Sequence, residues 1–388
     1  MKYCFYICVT VLLLCCSRQN DNKTSETIVG EFIETESQEI NQNSQEYNII
    51  QNDNALEHPL SVFTIVDKSP FKYSLEHRYN GYGYINFLDI VYGNGRFVTV
   101  GLGSTGSFTH GYIAYSDDGL IWNLVDMFYR NWFFSVAYGN GRFVTGATNG
   151  ETFYSDDGIE WKVAEGNDFG ILIKIIYGKD LFVALYRSGI VYSYDGEIWH
   201  KVGNIFEETE ITCLFYGNNR FYAGSHGKFA YSYDGKIWNI VENNAFDSLP
   251  IHCFAYGNNR LLAFSYRPDE SSYAYGEYTE YSVHIAYSDD GEKWFSKELE
   301  NNILKWKWIN IVYNNGYFIA VGGEGGELKV AFSRDGISWI NVNDEHNPYS
   351  PNYYTRYYAS AYGGGNYVIV GNEGTIRVSQ WPIYDEQK

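Results

Sequence analysis

The chain is short of three things: it has 7 prolines in 388 residues, no apolar run after the first 16 residues, and no cluster of basic side chains. Its one apolar run, Cys4 to Cys16, covers 13 residues, too few to cross a bilayer as a helix. A formal net charge of −19, with 28 Lys and Arg against 47 Asp and Glu, argues against a nucleic-acid partner, because no patch exists to displace phosphate counterions. Cysteine is equally sparse. Four of the 6 fall within the first 16 residues, leaving Cys213 and Cys253 without a CxxC spacing or a His partner pattern. Neither a metal site nor any cofactor is indicated, and two neutral thiols are expected. Helical spacing of apolar residues is also missing over any long stretch. What is abundant is 38 Tyr, 24 Phe, 10 Trp and 39 Gly, an all-β profile.

Met1, Lys2 and the run to Cys16 read as a secretory signal. Within it Leu12-Leu13-Leu14-Cys15-Cys16-Ser17 resembles a lipobox, which makes Cys15 or Cys16 the expected site of lipidation and the membrane a partner through acyl chains. The residue before the cysteine departs from that pattern, being Leu14 or Cys15 rather than a small residue, and an ordinary cleaved signal leading to secretion is the alternative. Residues 17–60 carry nine acidic and two basic side chains among Gln, Asn and Ser, and read as a disordered tether. The expected organisation is a signal over 1–16, the tether over 17–60, a folded domain over 61–383 and a tail over 384–388. The domain is expected to be monomeric and to sit in the cell envelope, periplasmic or surface-exposed.

Self-comparison supplies the architecture. Tyr92-Gly93-Asn94-Gly95-Arg96-Phe97 recurs from Tyr138, Tyr177, Tyr216, Tyr256, Tyr313 and Tyr362, at separations of 46, 39, 39, 40, 57 and 49 residues. That period suits a four-stranded propeller blade. Asn-Gly between two short apolar strands supplies the positive φ values of a type I′ hairpin. A second motif, Ser-x-Asp-Gly-x-x-Trp, follows the first six copies, with its carboxylates at Asp118, Asp157, Asp195, Asp234, Asp290 and Asp335. The Ser and Asp oxygens are placed to accept backbone N–H groups, Gly takes the left-handed position, and Trp buries its ring between blades. The seventh unit ends at Val378-Ser379-Gln380-Trp381 without the Asp and Gly. Phe63-Thr64-Ile65-Val66 looks like the strand that follows such a hairpin, so residues 61–66 are expected to complete the last blade. The fold expected is therefore a seven-bladed β-propeller of four-stranded antiparallel blades closed by the N-terminal strand, with six blades as the alternative.

The second motif resembles the Asp-box, or BNR, repeat of sialidase-like propellers, shortened by one residue between Asp and Trp. The resemblance runs over Ser61 to about Pro382 and implies a structural role for the six box carboxylates. It also raises the question of a glycosidase, which in that family needs three Arg, a Tyr–Glu pair and an Asp acid. No such set can be placed here: Arg96, Arg142, Arg220 and Arg260 sit in the repeated turns, while Arg78, Arg130, Arg187, Arg267 and Arg356 are scattered over loops of different blades.

Topology puts the two tight turns of each blade at one end of the ring and every insertion at the other. Aromatics crowd into those insertions, and Tyr129, Trp132, Arg267, Tyr273, Tyr275, Tyr278, Tyr353, Tyr354, Arg356 and Tyr357 are the candidate ligand contacts. His110, in the first insertion, reads as loop surface. The residues expected to face the axis are Asp89, Ser135, Lys174, Cys213, Cys253, Asn310 and Ala359, a polar or small lining for a water-filled channel. The function expected is non-catalytic binding of a glycan or protein ligand on the aromatic end, with a sialidase-like hydrolase or an envelope assembly scaffold as alternatives.

Overall fold

A computed structural model of the chain describes residues 64–65, 83–105, 108–129, 131–164, 169–207, 209–241, 245–268, 273–274, 277–278, 281–298, 308–314, 316–322, 329–342 and 356–380. The chain divides into two units, Met1–Glu57 and His58–Lys388, and all of these residues belong to the second. Cys15, Cys16, the tether and the tail lie outside the described residues.

The repeats fold as seven four-stranded antiparallel sheets, each a blade with strands a to d in sequence order. Blade 1 is built from Gly83–Gly93, Arg96–Thr105, Phe108–Ser116 and Asn123–Tyr129; blade 2 from Phe133–Gly139, Arg142–Ala147, Thr152–Ser155 and Lys162–Val163. Blade 3 uses Leu172–Gly178, Leu181–Tyr186, Gly189–Ser193 and His200–Gly203; blade 4 uses Cys213–Gly217, Arg220–Gly224, Phe229–Ser232 and Asn239–Val241. Blade 5 contains Cys253–Gly257, Arg260–Pro268, Tyr281–Ser288 and Phe295–Glu298, and blade 6 contains Trp308–Asn314, Tyr317–Gly322, Lys329–Ser333 and Ile340–Val342. Blade 7 has only three consecutive strands, Tyr357–Gly363, Asn366–Gly371 and Ile376–Gln380. Its fourth is Thr64–Ile65, with Thr64 opposite Val378 and Ile65 opposite Arg377. The expected closure by the N-terminal strand is thus present.

Burial follows from position in the blade. Strand a of each blade packs against strand a of both neighbours around the axis. Strand b lies inside its sheet and between blades, so both of its faces are covered and it reads as a continuous apolar run; every residue of Leu181–Tyr186 is buried. Strand d is outermost, and Lys162–Val163 is exposed on both residues. Seven apolar clusters fill the seven seams between blades. Six of them contain the Trp of the Ser-x-Asp-Gly-x-x-Trp hairpin, lying against the preceding blade; Trp122, for example, packs with Val368 and Val370 of blade 7. The seam between blades 6 and 7 has no such Trp and uses Tyr357, Tyr367 and Phe332.

The a-to-b turns have the expected backbone: φ is 50° at Asn94 and 76° at Gly95, 50° at Asn140 and 75° at Gly141. The Gly just before each such turn has a different duty. A methyl group on Gly139 would stand 2.0 Å from Cγ of Tyr177 in the next blade, so only a residue without Cβ lets that ring lie flat on the strand. Tyr138 covers Gly93 and Tyr92 covers Gly363 in the same way. Blade 6 has Asn314 at this place, and the ring that follows it, Tyr362, is the one exposed member of the set.

Candidate functional site

The two ends of the ring differ, and the difference is built into strand length. At the end opposite the repeated turns, the b–c ribbon stops at Tyr186 opposite Gly189 in blade 3 and at Gly224 opposite Phe229 in blade 4. In blade 1 it continues to Thr105 opposite Phe108, and in blade 5 to Pro268 opposite Tyr281. The insertion in blade 1 is therefore a prolonged ribbon and not a loop, which corrects the reading of His110. That residue lies in strand Phe108–Ser116, is buried, and meets the ring of Tyr112 edge-on; burial pulls its pKa down. The blade 5 insertion adds a small second ribbon, with Tyr273 opposite Tyr278.

The candidate ligand contacts are spread over this end. Tyr129 lies on the last strand of blade 1, opposite His110 in register. Trp132, half-buried, leads into blade 2 and is held by its N–H on Thr148 Oγ1 at 3.0 Å. Arg267 is exposed on blade 5 opposite Ser282. Arg356 leads into blade 7; its N–H donates to Asn372 Oδ1 at 2.7 Å, while the Glu373 N–H donates to Asn86 Oδ1 of blade 1 at 3.1 Å. Tyr357 is a correction. It is fully buried in the seam between blades 6 and 7, where its hydroxyl accepts from Arg377 Nε at 3.2 Å, so it has no surface to offer a ligand. Tyr275, Tyr353 and Tyr354 lie outside the described residues, as do Arg78 and Arg130. The described Arg side chains of this end, Arg187, Arg267 and Arg356, belong to blades 3, 5 and 7.

Along the axis the polar lining is bonded to itself. Backbone bulges between Phe87 and Asp89 and between Leu172 and Lys174 re-aim strand a there. Asp89 Oδ2 accepts from Ser135 Oγ at 2.5 Å and from Lys174 Nζ at 2.8 Å, and Asp89 Oδ1 accepts from the Ile90 N–H at 3.1 Å. Asn310 Nδ2 donates to Ser360 Oγ at 3.1 Å. Cys213 and Cys253 are free thiols; burial pushes Cys253 up to about 12 and Cys213 up as well, so both are protonated at neutral pH. Among the described residues no group of three His, Cys, Asp or Glu is placed to hold a metal ion.

At the opposite end each Ser-x-Asp-Gly-x-x-Trp hairpin repeats one set of bonds. Asp157 Oδ1 accepts from the N–H groups of Ile159 and Glu160 at 2.8 and 2.9 Å and from Ser155 Oγ at 3.0 Å. Ser155 Oγ accepts from the Gly158 N–H, and Trp161 Nε1 donates to the Gly158 carbonyl. Partial burial alone would raise the carboxyl pKa, but these bonds outweigh it, and Asp118, Asp157, Asp195, Asp234 and Asp335 lie below the ordinary value; Asp290 does so mainly through its N–H bonds.

Arginines of the a-to-b turns tie neighbouring hairpins together. Arg96 pairs with Asp117 of its own blade at 2.6 Å and donates to the Asp157 carbonyl of the next at 2.7 Å; Arg142 does the same with Asp156 and the Asp195 carbonyl. Asn366 of blade 7 donates to the Asp118 carbonyl of blade 1 at 2.7 Å, extending the pattern across the seam between the last blade and the first.

This end is not uniform. The x of Ser-x-Asp reads Asp117, Asp156, Tyr194, Tyr233, Asp289 and Arg334 around the ring. Tyr194, Ile198, Tyr233 and Ile237 are all exposed on blades 3 and 4. The varying position was visible in the sequence; what was not visible is that these side chains stay in solvent.

No protein-family model matches the chain. No curated protein matches it either. Among solved structures it is similar in fold to YCF48 bound to D1 peptide, with a TM-score of 0.57 and 15% identity over 76% of this chain and 93% of that one. It is likewise similar to YCF48 from Cyanidioschyzon merolae, with a TM-score of 0.57 and 11% identity over 82% and 98% of the two chains. The WD40 β-propeller domain of Doa1 gives a TM-score of 0.51 and 10% identity over 82% of this chain and 96% of that one. At such identities the likeness is one of fold.

Proposed function

We infer that this chain is a non-catalytic binding propeller whose elaborated end recognises a segment of another protein. The observation that carries the reading is the pair of prolonged strand pairs on blades 1 and 5, which present exposed Phe108 and Arg267 on a rigid frame where blades 3 and 4 end in short turns. In blade 1 strands a and d run alongside the prolonged part, but in blade 5 the ribbon continues past the pairing of strand a at Phe264 and of strand d at His284, so it offers backbone edges as well as side chains, which suits an extended peptide. The fold neighbour solved with a peptide bound is in keeping with that choice. Within the same reading the repeated hairpins are of Asp-box type and serve the blades, and the chain is held in the cell envelope by acyl chains on Cys15 or Cys16.

The test exposes the full chain to a peptide array, a glycan array and a fluorogenic sialoside, beside a variant carrying Phe108→Ser and Arg267→Ala. Retention of peptides, lost in the variant, is expected, with the sialoside left intact. Glycan retention alone, or cleavage of the sialoside, would overturn the reading. Mass spectrometry of the mature N-terminus tests the anchor: an unacylated terminus removes it.

A further inference from the structure

Blade 7 departs from the other six in two ways that meet at one point. In blades 1 to 6 the outer strand follows its own hairpin and is tied to the blade by covalent continuity; in blade 7 its place is taken by Thr64–Ile65, from the start of the domain. This outer strand can be exchanged without pulling a hairpin out of the ring. The second departure lies in the neighbouring third strand. Its position two before the repeated Ser reads Ala114, Phe153, Val191, Ala230, Ala286 and Ala331 in blades 1 to 6, and every one of them is buried. In blade 7 that position is Arg377, 1% exposed and directly opposite Ile65.

Arg377 carries a charge that the seam does not answer. It stands opposite Ile369 on one side and Ile65 on the other, and directly opposite residues of antiparallel strands project from the same face. Ile369 belongs to the apolar cluster between blades 6 and 7, so Arg377 and the residue at position 65 both face that seam. There the guanidinium donates from Nε to the Tyr357 hydroxyl at 3.2 Å, while Nη1 has no hydrogen-bond partner. No carboxylate among the described residues forms an ion pair with it. Filling the space left by a missing Trp needs bulk but no charge, and a long apolar side chain supplies the bulk without burying a cation. The guanidinium is suited to a carboxylate that the closing strand, with Ile at position 65, does not bring.

We propose that the outer-strand place of blade 7 is an exchangeable binding site, taken by an extended segment of another protein that carries a carboxylate at the position opposite Arg377. The segment's backbone pairs with the edge of Ile376–Gln380, as Thr64–Ile65 does, and its carboxylate meets Nη1 in the seam. The selecting charge is local. Arg377 is already stripped of water in the free protein, so the incoming acid loses only its own hydration and gains a charge-assisted bond. A net charge of −19 repels acidic peptides in general, so a preference for acid at this one position has its source in the facing guanidinium. The closing strand of a second copy has Ile at that place and is the weaker occupant.

The test uses the full chain carrying Thr64→Pro and Ile65→Pro, which removes both backbone donors of the closing strand and frees its place. Labelled heptapeptides copy residues 61–67 and differ only at the position of Ile65, where they carry Glu, Gln or Ile; binding is read by fluorescence anisotropy. The Glu peptide is expected to bind with a Kd of about 10–100 μM, at least about tenfold tighter than the Gln and Ile peptides. Adding Arg377→Met should abolish that preference, and adding Phe108→Ser with Arg267→Ala at the elaborated end should leave it unchanged, which separates this site from the other. A second measurement needs no peptide and no vacated strand. In the otherwise unaltered full chain, Ile65→Glu should lower the melting temperature by a few degrees more in combination with Arg377→Met than on its own. Failure of the Glu peptide to bind below about 1 mM, equal binding by the Gln or Ile peptide, a preference for Glu that survives Arg377→Met, or absence of the coupling between positions 65 and 377 would each overturn the proposal.

Discussion

One carboxylate oxygen organises each repeated hairpin, and its chemistry sets two expectations. Asp157 Oδ1 serves two N–H groups and a hydroxyl, bonds that an amide oxygen can accept and a methyl cannot. Asp157→Asn is expected to cost less than about 1 kcal/mol and Asp157→Ala about 1–2 kcal/mol, read from urea midpoints. The charge adds a pH dependence. A folded-state pKa held below the unfolded value gives stability that is complete above the unfolded value and is lost as pH falls through the folded one. All six hairpin carboxyls lie low, so the melting temperature should hold from neutrality to about pH 5 and drop below about pH 4, less steeply in Asp157→Asn. A buried cation behaves differently. Arg377 is 1% exposed, donates from Nε to Tyr357 and leaves Nη1 without a hydrogen-bond partner. Blades 4, 5 and 6 have Ala230, Ala286 and Ala331 at the same place in strand c, beneath the hairpin Trp that blade 7 lacks. Arg377 fills that space at the cost of burying a guanidinium. Arg377→Met is expected to be neutral or stabilising, whereas Tyr357→Phe should cost about 1–3 kcal/mol, because it removes the acceptor of the guanidinium's Nε–H without removing its charge. Equal losses in calorimetry would contradict this account.

At the scale of the element, the links between neighbouring hairpins depend on a forked side chain. Arg142 reaches Asp156 and Glu197 and also the Asp195 carbonyl, joining blade 2 to blade 3. A single ammonium cannot make these bonds together, so Arg142→Lys should lose most of what Arg142→Ala loses, about 1 kcal/mol. A lysine variant as stable as the wild type would show that charge alone suffices. The strands and turns were legible in the sequence because each carries a local signature: Asn-Gly at a turn needing positive φ, Ser and Asp two residues apart, and a Trp three after the Gly. The axial positions were legible too, since counting back from the repeated Tyr finds Asp89 and Lys174, and they pair. What escaped the sequence is orientation. Whether an insertion continues a ribbon or leaves it depends on cross-strand pairing, which is why His110 was expected on a surface and lies buried. Tyr357 looks like its loop neighbours by composition, yet it begins a strand whose side chain turns into a seam.

For the whole molecule the decisive question is how a ring of seven near-equivalent seams closes. The seam between blades 7 and 1 has the same kinds of contact as the rest: an apolar cluster around Trp122, the Tyr92 ring on Gly363, and Asn366 on the Asp118 carbonyl. It has one further device. Thr64–Ile65 pairs with Ile376–Gln380, so the outer strand of the last blade comes from the start of the domain. Among the described residues that pairing covers Thr64 and Ile65, and its direct contribution is small beside the cluster. Its larger effect is to cover the edge of strand Ile376–Gln380, which no other described strand covers. Deleting residues 1–66 is therefore expected to lower the melting temperature by only a few degrees, but to make the domain associate as its concentration rises, seen by sedimentation velocity. A truncated chain that stays monomeric and melts like the full one would mean that the seam contacts alone hold the ring, and that the N-terminal strand follows closure rather than securing it.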